Sequence, residues 1–312
     1  MDPIGTRGRY ASVINQGAPM AFKSAAMVVN TKSRHGQDCF DRACARFGEQ
    51  DMPVDAHAVD DPDRLEALLD EVLAKKPELV ILGGGDGTIS GLVDTLVGKG
   101  VTLGVLPLGT ANSFARSLGI PLDVDGAIDA ILQGRPKRID LGMIDDDYYA
   151  STAAIGLSPQ IAQTVPHNAK RWFGRMGYLS WAALQFVKFK PFTVIVGEGK
   201  DAKRLRAVEV RISNGPFHGG TELVDEAGVA SGEIIVQVVK GPTKSRLVRN
   251  WAASVLRLDA RKEDTVTFRG QSLRVATEPS LPISIDGEVL AKTPVTAKVA
   301  PAVIDVMVPM SE

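Results

Sequence analysis

The aliphatic run Leu79-Val80-Ile81-Leu82 passes without a break into Gly83-Gly84-Gly85-Asp86-Gly87-Thr88. A short apolar run bounded by glycine reads as a buried strand. The glycines have no Cβ, so the backbone after that strand can adopt positive φ and approach a ligand closely. Ser90 to Val97 follows as a helix-like stretch. Successive N–H groups in such a turn, backed by a helix N-terminus, form a concave site for phosphate. Asp86 places a carboxylate among those donors and would repel bare phosphate, which points to a divalent cation between them.

The segments around this unit repeat its alternation. Ala25 to Asn30 reads as a first buried strand, followed by the polar loop Asn30 to Gly36. Gln37 to Phe47 is helix-like, with Phe40, Cys44 and Phe47 at i, i+4 and i+7. Pro53 to Val59 reads as a strand, and Asp60-Asp61-Pro62-Asp63 as an acidic helix start that suits the positive end of the helix dipole. Arg64 to Ala74 carries Leu65, Leu68, Leu69, Val72 and Leu73 on one stripe, and Val101 to Leu106 is another short strand. Strand and helix in alternation predict a doubly wound, three-layer α/β domain over residues 25–138, after a loose N-terminal extension of residues 1–24.

From residue 139 to 312 strand-like runs dominate: Tyr148 to Ala154, Phe192 to Val196, Ala207 to Ile212, Ile234 to Val239, Thr265 to Phe268, Leu273 to Ala276, Ile283 to Ile285 and Val303 to Val308. They predict a C-terminal β-sandwich-like domain, its last residues packing back on the first domain.

Bulk properties narrow the function. Lys plus Arg total 36 and Asp plus Glu 37, without the basic excess of a general nucleic-acid binder. Cys39 and Cys44 lie beside His35, but no second cluster completes a zinc set, and two reduced cysteines on one helix is the simpler reading. No apolar run approaches the ~18 residues of a membrane-spanning helix, and the first 24 residues hold no hydrophobic signal core. A cytoplasmic protein is expected.

A second glycine turn follows the strand Val101 to Leu106: Pro107-Leu108-Gly109-Thr110-Ala111-Asn112-Ser113. In an open α/β sheet, two such turns line one crevice at the carboxyl ends of the strands, where Thr110 and Asn112 could hydrogen-bond a nucleotide.

Gly84-Gly85-Asp86-Gly87-Thr88 followed by Pro107-Leu108-Gly109-Thr110-Ala111-Asn112 resembles the catalytic region of the diacylglycerol and sphingosine-type lipid kinases. Asn30 with Lys32 and Ser33 is similar to that family's first Asn-containing loop, and Ile139-Asp140-Leu141-Gly142 to its junction into the second domain. Ser213-Asn214-Gly215-Pro216-Phe217-His218-Gly219-Gly220 and Ile285-Asp286-Gly287-Glu288 resemble two later segments. The glycine–aspartate motif alone is shared with NAD kinases; the six segments in this order are not.

The resemblance implies transfer of a phosphoryl group from ATP, with Mg²⁺, to a lipid hydroxyl. Glu288 matches the general base and Asp86 the acidic residue of the nucleotide site. ATP contacts are implied for Asn30, Lys32, Gly83, Gly84, Gly85, Gly87, Thr88, Gly109, Thr110 and Asn112. One of Asp60, Asp61 and Asp63 is implied as a further acid, without a choice among them. An alcohol is a poor nucleophile at neutral pH, so a carboxylate placed to take its proton fits the chemistry. Read alone, Asp286-Gly287 is a two-residue hairpin turn and Glu288 a surface acid.

The chain departs from the family pattern at Thr31, Ser113, Asp225 and Ser231. Ser231 stands where a metal-linked aspartate is usual, which puts an auxiliary ion site in doubt.

Residues 167–192 concentrate Arg171, Trp172, Phe173, Arg175 and Trp181 with further aromatic and basic side chains, although aromatics form only 5% of the chain. Interfacial aromatics and basic residues suit an anionic lipid surface, and core packing is the competing reading. Lys244 to Leu258 has an apolar stripe of ordinary core spacing. The expected partners are ATP and a lipid at the membrane surface, no nucleic acid, with a homodimer left open. An NAD kinase or an inactive nucleotide or lipid sensor of the same fold are the alternatives.

Overall fold

The structure is a computed structural model, described here over residues 22–33, 35–50, 52–156, 189–241 and 265–310. The first half alternates as expected: β1 (Ala25–Asn30), α1 (Gly36–Glu49), β2 (Val54–Val59), α2 (Leu65–Ala74), β3 (Leu79–Gly84), α3 (Asp86–Leu96), β4 (Thr102–Pro107), α4 (Ser113–Ser117) and α5 (Val124–Leu132). The four strands are parallel, in the order β2-β1-β3-β4. Leu79 to Leu82 are buried, as a strand covered by helices on both faces requires.

Beyond them come β5 (Arg135–Ile144), β6 (Asp147–Tyr149), β7 (Thr152–Gly156), β8 (Phe192–Val196), β9 (Lys203–Ser213), β10 (Phe217–His218), β11 (Thr221–Glu222) and β12 (Ile234–Lys240). They are followed by β13 (Thr265–Gly270), β14 (Ser272–Glu278), β15 (Pro282–Ile285), β16 (Glu288–Lys292) and β17 (Val295–Val308). This half is antiparallel, apart from the join to β4. Its core centres on Val194, Val208, Val210, Ile212, Val236 and Val238. The expected class, an α/β domain followed by a β-sandwich-like one, is what the chain forms.

Strand β17 joins the halves. Its first residues pair with β14, its length follows β5, and Asp305 and Val306 run parallel to Thr102 and Leu103 of β4. Ile304, Val306, Met307 and Val308 enter the core of the first half. The strand expected at Val303 to Val308 therefore begins at Val295, and the register shift between Ala300 and Ile304 marks its passage from one lobe to the other.

Other boundaries differ for local reasons. The helix expected from Ser90 begins at Asp86, because Gly83 and Gly84 finish β3 and leave only Gly85 as a turn. The strand expected at Tyr148 to Ala154 breaks at Ala150 and Ser151, whose N–H groups go to the Asp286 carboxylate. Strand β5 starts at Arg135 in a polar stretch that shows no alternation and is held by β17. Helix α1 buries Gly36, Cys39, Ala43 and Phe47, one position from the expected stripe, with Phe40 and Cys44 packed at its margin. Burial pushes the Cys39 thiol up to about 11, aided by Asp38 and opposed by Arg42, which fits an inert packing cysteine.

The residues Arg171, Trp172, Phe173, Arg175 and Trp181, and the stretch Lys244 to Leu258, lie outside the described residues. Among the described residues no helix is long and apolar enough to cross a membrane.

Candidate active site

The strand order reverses between β1 and β3, so the carboxyl ends of those strands open a crevice at Asn30 and Gly84. Both glycine turns lie there and touch. Leu108 N–H donates to Gly84 O at 2.9 Å. A Cβ at Gly85 would stand 3.2 Å from the Gly109 Cα, and one at Gly109 only 2.7 Å from the Gly85 Cα. A Cβ at Gly83 would meet Val29 at 2.8 Å, and one at Gly84 would meet Thr88 at 2.5 Å. Gly85 and Gly109 answer to packing between backbones, and Gly83 and Gly84 to the side chains of Val29 and Thr88, as well as to any ligand.

Asn112 fixes the second turn. It is buried in the left-handed conformation, with φ 49°. Its Oδ1 accepts from Gly109 N–H at 2.8 Å, and its Nδ2 donates to Gly109 O at 3.0 Å. The amide thus shapes the turn, leaving Gly109 and Thr110 exposed at the crevice. Asp86 Oδ1 accepts from Phe114 N–H at 3.1 Å and so joins the starts of α3 and α4. Asn30 makes a local turn, its Oδ1 accepting from Lys32 N–H at 3.1 Å, and the Lys32 side chain is exposed.

The acids near β2 are all exposed. Asp61 accepts from Asp63 N–H and caps the short turn Pro62–Arg64. Asp60 follows β2 at the carboxyl edge, where Thr31 N–H donates to Val59 O at 2.8 Å.

The second lobe brings Glu288 to this place. Asp286, φ 44°, and Gly287, φ 101°, form the tight turn between β15 and β16. Glu288 opens β16 on the far side of that turn, and a Cβ at Gly87 would lie 3.6 Å from Glu288 Oε1. The hairpin reading of this motif is correct, and the hairpin sets Glu288 beside Gly87. Beside Glu288 a cleft of about 330 Å³ runs between α3 and the hairpin, walled by Ser90 and by the carboxylates of Asp94, Asp147, Asp286 and Glu288.

Sequence reasoning left Asp286 out of the site. Its Oδ2 accepts from Ala150 and Ser151 N–H at 3.0 and 3.1 Å, and its Oδ1 from Thr152 N–H at 2.8 Å. Burial pushes its pKa up to about 6, against the hydrogen bonds from Ser90, Thr152 and Ser151; the nearby Asp86 adds to the rise. A folded-state value above the unfolded one means that ionisation costs stability. This group's penalty is absent below the ordinary aspartate range and grows as pH rises toward 6. The variant Asp286→Asn should lose about 1–3 kcal/mol by turning an NH₂ on backbone donors, and should also lose that pH dependence. Thermal unfolding between pH 4 and 7 checks both; a melting temperature unchanged at pH 4, where the penalty is small, would contradict the first, and a variant that kept the unmodified protein's pH dependence would contradict the second.

Several family-like positions act as structural ties. Asp140 accepts from Gly232 N–H at 2.7 Å and from Ala302 N–H at 2.8 Å. Asn214 Nδ2 donates to Asp140 O at 2.9 Å. Ser113 Oγ accepts from Gly220 N–H at 3.1 Å, linking the second glycine turn to the other lobe. The Ser231 hydroxyl bonds locally, donating to Glu233 O at 3.1 Å and accepting from Glu233 N–H at 3.3 Å. Among the described residues no group of three or more His, Cys, Asp or Glu is placed to hold a metal.

Residues 24–144 match the diacylglycerol kinase catalytic domain, and residues 151–308 match the YegS C-terminal NAD kinase beta sandwich-like domain. The chain belongs to the diacylglycerol kinase-like lipid kinase family. Its relatives include a diacylglycerol kinase of Mycobacterium tuberculosis, 25% identical over 97% of this chain and 96% of that protein. A probable lipid kinase YegS-like of Klebsiella pneumoniae is 33% identical over 55% of this chain and 60% of that protein. The chain spans 55% of the length of an uncharacterised Synechocystis protein, to which it is 27% identical. In fold it is similar to a putative diacylglycerol kinase from Bacillus anthracis, with a TM-score of 0.78 at 20% identity over 95% of this chain and 98% of that one.

Proposed function

We propose that this lipid kinase family member transfers the γ-phosphoryl group of ATP to the hydroxyl of a membrane lipid, diacylglycerol or a sphingoid base or ceramide, with Glu288 as general base. The observation that carries this reading is the arrival of Glu288, from the β-rich lobe, beside Gly87 at the paired glycine turns.

The backbone N–H groups at Gly85 to Thr88 and at Thr110, with the N-terminus of α3, receive the terminal phosphates. Asn112 and Asn30 hold the two loops in shape, and Lys32 supplies positive charge at the rim. A single carboxylate, Asp86, at the phosphate end suits Mg²⁺ that arrives largely coordinated by nucleotide and water. Bound there, Mg²⁺ would neutralise charge on the phosphates. Glu288 takes the proton of the acceptor hydroxyl, which enters along the cleft beside Asp94 and Asp286. The aromatic and basic residues Arg171, Trp172, Phe173, Arg175 and Trp181 support docking on an anionic lipid surface.

Labelled ATP offered with vesicles containing diacylglycerol, monoacylglycerol, sphingosine or ceramide, and in parallel with NAD, tests the proposal. Label should pass to a lipid, and Asp86→Asn should slow the transfer by about 10²-fold or more, the scale of losing one electrostatic contact in a preorganised site. Transfer to NAD would replace the reading with an NAD kinase, and transfer to neither would leave a nucleotide or lipid sensor.

A further inference from the structure

We propose that Leu290 is a substrate-contacting residue on the acceptor side: the hydrocarbon of the lipid packs on its side chain while the lipid hydroxyl lies at Glu288. This rests on the kinase reading and adds to it the contact that selects a lipid over a small polar alcohol. Leu290 is 67% exposed, and Met310 is the other exposed large hydrophobic among the described residues. A lone exposed leucine on an open surface needs no explanation. This one lines the cleft that holds Glu288.

The local backbone puts it there. Strands β15 and β16 are antiparallel, and β16 is the outermost strand at its end of the sheet. Glu288 pairs with Ile285 and Val289 with Ser284, but the next pair is Ala291 with Ile283. Leu290 is therefore the extra residue of a β-bulge, without a partner across the hairpin. A bulge bends an edge strand and re-aims the side chain it carries. Edge strands are kept from unwanted pairing by bulges and by charge, and Glu288 and Lys292 put charge on both sides of this one. A bare leucine between them works against that protection and calls for an apolar partner.

The cleft says of what kind. Besides its carboxylates, it is lined by the carbon of Tyr148, Ile285 and Leu290. On the helix side α3 contributes Gly87, Ser90, Gly91 and Asp94, at i, i+3, i+4 and i+7, and the two glycines leave the space beside the hairpin open. Leu290 both lines the cleft and meets solvent, so it stands at the mouth. It lies at most about 7 Å along an extended strand from Glu288. An acceptor whose hydroxyl reaches Glu288 therefore brings its next few carbons against Leu290. A small polar alcohol has nothing to place there, whereas a lipid does.

Two variants and a binding measurement test this. Leu290 is exposed, so Leu290→Ser should fold normally. We expect it to raise KM for dioctanoylglycerol or sphingosine, whichever is phosphorylated, by about 10-fold, the scale of a partly buried leucine. We expect kcat and the KM for ATP to stay unchanged, as for a contact made equally before and during transfer, and Leu290→Met to restore the lipid KM. In the unmodified protein, the ¹³C-methyl signals of Leu290 should move when dihexanoylglycerol or a short-chain sphingosine is added with ADP, and not when glycerol is. Their loss in Leu290→Ser identifies them.

Signals unmoved by both lipids would overturn the contact, as would an unchanged lipid KM in Leu290→Ser. A fall in kcat alone would also overturn it, by making the residue a support for the Glu288 hairpin. A dimer that Leu290→Ser splits would give the residue to a second copy of the chain, and lost flotation with acceptor-free anionic vesicles would give it to the bilayer surface; either result sinks the proposal. A protein whose signals shift but which phosphorylates neither lipid would keep the apolar contact and lose the lipid kinase reading.

Discussion

Glu288→Gln should lower kcat for lipid phosphorylation by about 10²–10⁴-fold, the range for loss of a positioned general base, and should leave nucleotide affinity nearly unchanged. The reason lies in which lobe supplies each part. In the proposed reading the phosphates rest on the turns at Gly85 and Gly109 of the first lobe, while Glu288 reaches Gly87 from the hairpin of β15 and β16. Glutamine keeps the length and polarity of the side chain but cannot take a proton from an alcohol. Steady-state kinetics over a range of lipid concentrations, with calorimetric titration of ADP, separates the two effects. A variant that retained full turnover would remove Glu288 from the chemistry.

Gly109→Ala should cost about 1–3 kcal/mol of stability, as overpacking usually does, and should abolish measurable nucleotide binding. A Cβ there would stand 2.7 Å from the Gly85 Cα and 2.7 Å from Asn112 Oδ1. The first contact is backbone against backbone, so no rotamer relieves it. The second disrupts the amide that holds the turn. Relief would require the two turns to separate, which pulls apart the N–H groups that face the phosphates. Gly48→Ala is the matched control. Gly48 lies exposed in α1 with nothing near its added Cβ, so alanine should stabilise the helix by about 0.5–1 kcal/mol. Melting temperature and nucleotide titration on both variants check the contrast. Normal nucleotide affinity in Gly109→Ala would show that the turns can part without loss.

The first half of the fold was open to reading because its signals are local. Leu79 to Leu82 declares a buried strand by its own composition, and the glycines after it declare a turn. The stripe Leu65, Leu69 and Val72 declares a helix face by spacing alone, and all three are buried. The later strands Phe192 to Val196 and Ile234 to Val239 were equally plain, since the first alternates and the second is β-branched except at Gln237. Strand β5 was not legible at its polar start, Arg135 to Arg138, because its pairing depends on β17 far along the chain.

The site divides in the same way. Asp86, Gly85, Gly109 and Glu288 sit in short motifs whose chemistry shows in their residue types. Asp286 was quoted within such a motif, yet its work is to gather three N–H groups from Ala150, Ser151 and Thr152, which no local pattern announces. Asp147 and Asp94 wall the same cleft without any sequence signal.

By itself the sequence determined the alternating strands and helices of the first lobe, the two phosphate-type turns and the family resemblance. The first two depend on sterics or periodicity within a few residues, and the third on short motifs matched to a known family. Only the tertiary structure decided that β17 closes both lobes into one sheet, that Glu288 meets Gly87, and that Asp286 gathers the N–H groups of Ala150, Ser151 and Thr152. Those meetings follow from strand register over long separations, and register is a property of the assembled sheet rather than of any segment in it.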